Sequence, residues 1–232
     1  MIAISDVSFY IKKNDPLDIE AKKRGNSFYF PDRVIPMFPE EISNDVCSLI
    51  PNKERACIVL EITIQNLKII NFNFHRAKII SIARLTYTEV DKIHSNKLIN
   101  SKFLVLINSL YKSYEVLKIM ATNRNKINFD TDEYEIIGKV DEEFNIIKKK
   151  KIESYRLIEE FMIAANTCVA KFLKDNKLNS IFRSHEKPKL DKIQSLKKIL
   201  RENNIYNNER FNNQKDFNTT LKLMKKNKVF LN

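Results

Sequence analysis

Residues 24–49 read RGNSFYFPDRVIPMFPEEISNDVCSL, and no other stretch restricts the backbone as severely. Gly25, one of only two glycines in the chain, tolerates the positive φ that ends a helix. Pro31, Pro36 and Pro39 fix φ and remove amide donors, so the segment is expected to be a shaped, extended loop, neither helix nor central strand. Within it Tyr29 stands between Phe28 and Phe30 in a strand-like run. Its flat ring with a polar tip suits a nucleobase or the core. On residue pattern alone the core is favoured, because aromatics of short strands are mostly buried.

A chain of 232 residues with 43% hydrophobic content can bury a substantial core. No apolar run approaches the roughly 18 residues of a membrane span, and the start, MIAISDVSFY, lacks the basic-then-apolar layout of a signal peptide. The expected compartment is the cytoplasm. Cys47, Cys57 and Cys168 are widely separated and in no CxxC arrangement, so they read as core thiols and not as a disulfide framework or zinc site. The net charge of +12 is uneven: residues 1–116 hold 16 Lys and Arg against 13 acids, residues 117–232 hold 25 against 16. Such an excess suits a polyanionic partner, whose neutralised phosphates release counterions, although a chain this crowded with Lys, Asn and Ile carries lysine everywhere.

Along the chain, IAISDVSFYI at 2–11 reads as a mostly buried strand. Asp15 and Pro16 then open a short helix that Lys22, Lys23, Arg24 and Gly25 close. Ala56, Ile58, Leu60, Ile62 and Ile64 alternate with Cys57, Val59, Glu61, Thr63 and Gln65. Asn66 marks a turn, and Ile70, Phe72 and Phe74 alternate in a second strand, which gives an antiparallel hairpin. RLTYTEV starts a helix with Thr86 or Thr88 as cap. Ile99, Phe103, Leu106, Ile107, Leu110, Tyr114, Leu117 and Ala121 line a long helix ending near Asn123. A second hairpin surrounds Gly138. After the lysines at 148–151 comes a helix with Ile158, Phe161, Met162, Ala165, Val169, Phe172 and Leu173 on its apolar face. Residues 180–183 read as strand, and a third helix turns Leu190, Ile193, Leu196 and Leu200 inward. The pattern therefore predicts an α+β fold, a mixed, largely antiparallel sheet with packed helices, as one unit over 1–202 without a linker. The tail, 203–232, is poorly patterned and allows one helix, at 217–226.

Three acidic clusters are candidates for a divalent ion, which phosphodiester hydrolysis uses to clamp the attacking and leaving oxygens. Asp130, Asp132, Glu133 and Glu135 do not make a calcium loop, because Glu135 stands where that loop wants glycine. Asp141 to Glu143 suit a hairpin turn, and Glu159 and Glu160 point to different sides of a helix; both read as solvated surface. His75, His94 and His185 have no nucleophile elbow beside them, and two glycines exclude a phosphate-cradling loop. No catalytic residue and no metal ligand is identified from residue type and spacing.

The pattern RG-S-YFP-RVIPM-PE-SN--CSL resembles the catalytic domain of the ribonuclease II and ribonuclease R (RNB-type) exoribonucleases. IAISDVSFYI, PLDIEAKKRGNSFYFPDRVIPMFPEEISNDVCSL, RACIVLEITI, AKIISIARLTYTEV, INFDT, RLIEEFMIAAN and SIFRSHEKP follow one another as that family's blocks do, most closely those of ribonuclease R, across residues 2–188. The resemblance implies a magnesium-dependent 3′-to-5′ exoribonuclease acting on single-stranded RNA. It implies RNA-binding roles for Tyr29, which matches a tyrosine stacking near the 3′-terminal nucleotide, and for Tyr87, which matches one near the cleavage point. The family's D-x-D-D-A aspartates precede the first of these blocks and its HFTSPIRRY block follows the last; neither occurs in this sequence, and the aromatic after the family's VH motif falls at about Pro188. The expectation is therefore an internal part of an RNB-type catalytic domain. A separately encoded segment would supply the aspartates, with an inactive RNA-binding fragment or a non-functional remnant as the alternatives.

Overall fold

The computed structural model describes residues 1–30, 32–95, 97–98, 101–127, 134–137, 145–148, 151–182, 186–205, 211 and 213–227. The described chain divides into two compact units, Met1–Glu115 with Asp132–Cys168, and Val116–Thr131 with Val169–Asn232. Two of the three boundaries fall inside continuous helices, Leu104–Asn123 (α4) and Glu153–Asp175 (α5), so no linker marks them.

In the first unit, β1 (Ile2–Ser5), β4 (Glu54–Gln65) and β5 (Lys68–Ile80) form an antiparallel sheet in the order β1-β4-β5. The first strand thus lies at an edge of the described sheet, and β4 is central. The hairpin closes at Asn66 and Leu67, both at positive φ (50° and 58°), which is the pairing a two-residue turn needs to match strand twist. Near the turn, Thr63 pairs with Asn71 and Ile64 with Ile69, leaving Ile70 as a bulge. The bulge reverses the alternation: Ile69, Phe72 and Phe74 pack inward with Leu60 and Ile62, and Ile70 is exposed.

The opening strand is shorter than its sequence suggests. It ends at Ser5, and after Asp6 the residues Val7–Tyr10 form a single helical turn, α1. Asp6 is only 3% exposed. Its carboxylate accepts hydrogen bonds from the Ser8 hydroxyl (2.6 Å) and from Arg76 Nε (2.9 Å), while Arg76 also donates to Ser8 Oγ (2.9 Å). Since Arg76 sits opposite Ile58, its side chain spans β4 and fastens the exit of β1 to β5.

Helix α2 (Pro16–Arg24) ends at Gly25, φ +76°, as its sequence predicts. Two hairpins of very short strands follow the pattern as well: β2 (Phe28–Tyr29) with β3 (Val34–Ile35), and β6 (Tyr134–Ile137) with β7 (Asn145–Lys148). Against expectation, the proline-rich segment also holds a π turn, Glu41–Val46, closed by the Cys47 amide on the Ile42 carbonyl. Pro39 tolerates it because only its carbonyl is used.

Helix α3 (Tyr87–His94) begins at Thr86, which settles the choice of cap: Thr86 Oγ1 accepts from the Glu89 amide and Glu89 returns to the Thr86 amide, a capping box. Ile93, Ile107, Tyr111, Tyr114 and Leu157 form the core shared by α3, α4 and α5. Tyr111, absent from the predicted face, stacks on His94 at 3.5 Å, whereas Leu106 is turned outward. In α5 the buried face is Ser154, Leu157, Glu160, Ala164, Ala165 and Cys168, rotated from the predicted one; Ile158, Met162, Val169 and Phe172 are exposed. Small side chains let the helix approach closely, so Ala165 and Cys168 meet Leu60 of the sheet where larger ones would be kept away. Glu160 is therefore buried and is not a surface carboxylate.

The second unit contains α6 (Leu190–Glu202) and α7 (Gln214–Lys226). Leu200, Ile205, Phe211 and Met224 are its core, with Ile193, Leu196, Phe217 and Leu223 against them, so part of the poorly patterned tail is packed. Leu190 stays exposed. Residues 180–182 form no strand, and Ile181 is fully exposed. Asn213 caps α7, and Asn218 Nδ2 donates to the carbonyls of Asn125 (2.9 Å) and Lys126 (3.1 Å).

Two stability tests follow from these contacts. The Ser8 hydrogen bond, aided by Arg76, holds the Asp6 carboxyl below its ordinary range despite burial. A depressed carboxyl stabilises the fold above its unfolded value, near pH 4, and that contribution is lost as pH falls through the folded value. Asp6→Asn is expected to cost about 1.5–3 kcal/mol in urea unfolding at pH 7 and progressively less below pH 4. Tyr111 behaves oppositely. It is 4% exposed, its hydroxyl has no hydrogen-bond partner among the described residues, and burial, helped by Asp91 and Glu153, pushes it up to about 12. Ring burial, roughly 1.5–3 kcal/mol with stacking in addition, offsets the roughly 1–3 kcal/mol cost of the unpaired hydroxyl. Stability is expected to fall as pH rises from 10 to 12, and Tyr111→Phe is expected to abolish that slope, read by unfolding curves alongside tyrosinate absorbance.

Candidate nucleic-acid interface

Tyr29 lies on β2, paired with Val34 of β3. Its ring is 80% exposed, and Phe28, Phe30, Val34 and Ile35 beside it are exposed too, so the core placement that residue pattern favoured is overturned. Two-residue strands do not hold a hairpin by themselves. The neck is tied instead by Ser27 Oγ, which accepts from the Met37 amide (2.9 Å), and by Arg24 Nη1, which donates to the Pro36 carbonyl (3.0 Å). Across the tip the Phe30 amide donates to the Arg33 carbonyl (2.8 Å), and the Arg33 guanidinium lies 5.3 Å from the Phe30 ring centre. Beyond the π turn, Arg55 Nε donates to the carbonyls of Ser48 (3.0 Å) and Asp45 (3.2 Å), and its Nη2 pairs with the Asp45 carboxylate, which fixes the segment's far end to β4. The result is an aromatic and cationic tip held out on a braced neck.

Tyr87 is the first residue of α3, oriented by the Thr86 cap. The buried Ser154 hydroxyl donates to its carbonyl (2.9 Å), and its ring packs against Tyr155 at 4.1 Å with a 31° tilt. The Tyr87 ring remains 40% exposed. No ring contact joins Tyr29 to Tyr87, which sit on separate elements of the first unit.

The acids weighed as metal ligands divide into two groups. Asp130, Asp132, Glu133, Asp141, Glu142 and Glu143 lie outside the described residues, as do Pro31, Ile99, Gly138, Lys149, Lys150, Arg183 and His185. Among the described residues no three His, Cys, Asp or Glu side chains gather closely enough to hold a metal ion, so these residues do not fit a magnesium site. Burial pushes the Cys57 thiol up, and the Cys47 thiol likewise, so neither is a ready nucleophile. Among the described residues no helix is long and apolar enough to cross a membrane.

The fold and these exposed tyrosines define a mixed α+β domain with aromatic side chains presented to solvent on a basic chain. It belongs to the RNB domain family, which matches residues 1–232. The chain is 37% identical over 207 residues to ribonuclease R of Escherichia coli (strain K12), covering 87% of this chain and 26% of that protein. The structure resembles Mycoplasma genitalium RNase R in complex with ribose methylated single-stranded RNA, with a TM-score of 0.89 and 31% identity over 97% of this chain and 36% of that one. It also resembles the same enzyme in complex with double-stranded RNA, with a TM-score of 0.88 and 31% identity over 96% of this chain and 41% of that one. The chain spans about a quarter of the length of the curated relative in Escherichia coli.

Ser154→Ala is expected to destabilise the protein by about 1 kcal/mol in chemical unfolding, since it removes one hydrogen bond and leaves the Tyr87 carbonyl to find another donor.

Proposed function

We propose that the protein acts in the 3′-to-5′ removal of nucleotides from single-stranded RNA in the cytoplasm. This stretch contributes RNA-binding surface through Tyr29 and Tyr87. The observation that carries the reading is the outward, 80% exposed ring of Tyr29 on its braced hairpin, at the position matching the family's stacking tyrosine. Stacking suits an enzyme that must accept every sequence, because each base offers a π face. The excess of lysine and arginine supplies attraction to phosphate without reading sequence. Magnesium is the cofactor the family implies, and no residue of this chain is assigned as its ligand. On this reading these 232 residues grip RNA and are expected not to cut it by themselves.

The test is a binding and cleavage assay on labelled oligoadenylate with and without magnesium. Binding is expected to weaken steeply with salt, by a slope near −0.7 per neutralised phosphate, and by about 1–3 kcal/mol in Tyr29→Ala. The oligomer is expected to stay whole. Stepwise shortening that a chelator halts would show that acids within the chain hold the metal, and failure to bind would sink the reading altogether.

A further inference from the structure

Tyr87 does not stand alone. Tyr155, in the first turn of α5, lies with its ring centre 4.1 Å from that of Tyr87, and after this packing the two rings are still 37% and 40% exposed. An aromatic pair placed for stability is covered, as the edge-on Tyr111 and Tyr114 are in the core. This pair is not. It is also fixed twice at its base, because Ser154, the neighbour of Tyr155, donates to the Tyr87 carbonyl, and because the capping box locks the first turn of α3. Two rings already packed together lose little freedom when a third planar group joins them.

We propose that Tyr155 and Tyr87 form one two-ring platform for a nucleobase, with Tyr155 both positioning the Tyr87 ring and widening the stacking surface. The proposal rests on the reading of this chain as a single-stranded RNA binder. It adds to that reading a residue that neither the sequence motifs nor the family resemblance assigns.

The test uses the full chain and an oligoadenylate carrying one 2-aminopurine at successive positions, whose fluorescence is quenched on stacking. Tyr155→Phe keeps the ring and is expected to bind within about twofold of the parent. Tyr155→Leu keeps bulk without a π face and is expected to bind about tenfold more weakly, losing the quench at one position while the salt dependence stays unchanged. Wild-type affinity and quenching in Tyr155→Leu overturn the platform and leave the RNA reading standing, whereas no binding by the parent chain overturns both. Should Tyr155→Leu not fold, photo-cross-linking of 5-iodouridine oligomers to the unaltered protein decides: a cross-link to Tyr87 or Tyr155 is expected, and its absence at both overturns the platform.

Discussion

The pairing of β4 with β5 is the constraint on which the first unit depends. Asn66 and Leu67 both adopt positive φ and close the hairpin, and beyond the bulge at Ile70 the two strands keep one register from Thr63 opposite Asn71 to Glu54 opposite Ile80. That register puts Arg76 opposite Ile58, and only from there does its guanidinium cross the central strand to the buried Asp6 carboxylate. A slip of one residue would send Arg76 to the other face and leave Asp6 buried without its cation.

The same register decides what α5 meets. Leu60, Ile62, Phe72 and Phe74 share one face of the sheet, and α5 lays Ala165 and Cys168 against it. Small residues at that contact fix the rotation of the helix. Ten residues or so toward its start, the rotation puts Leu157 into the core with Ile93 and Ile107, and Ser154 against the Tyr87 carbonyl. The placing of Tyr87 and Tyr155 is thus an outcome of sheet pairing, carried along a rigid helix.

Local rules of the sequence forecast local outcomes. The proline and glycine at the ends of α2, the threonine cap of α3 and the period of two in β4 act over a few residues, and the structure follows them. What escaped was set by partners distant in sequence. The bulge at Ile70 reverses which isoleucine is buried, and nothing in an alternating run announces it. The outward turn of Leu106 and the inward turn of Tyr111 depend on His94 from another helix, and the buried Glu160 on the rotation of α5. Tyr155 escaped for a similar reason, since its meaning lies in a contact 68 positions back along the chain with Tyr87. At the candidate site, Tyr29 and Tyr87 are singled out only by the family's motifs, while residue pattern alone placed Tyr29 in the core.

That error is instructive about the hairpin itself. Burial is the ordinary fate of an aromatic because each ring taken from water stabilises the fold by roughly 1.5–3 kcal/mol. The hairpin of β2 and β3 gives up that gain at Phe28, Tyr29 and Phe30 together. Its two paired positions cannot hold it in shape, so the hydrogen bonds of Ser27 and Arg24 must do so, with Arg55 anchoring the segment's far end. Exposed aromatics that contribute little to the fold, on a hairpin braced by Ser27 and Arg24, are the feature on which the proposed stacking of a planar partner from solvent rests.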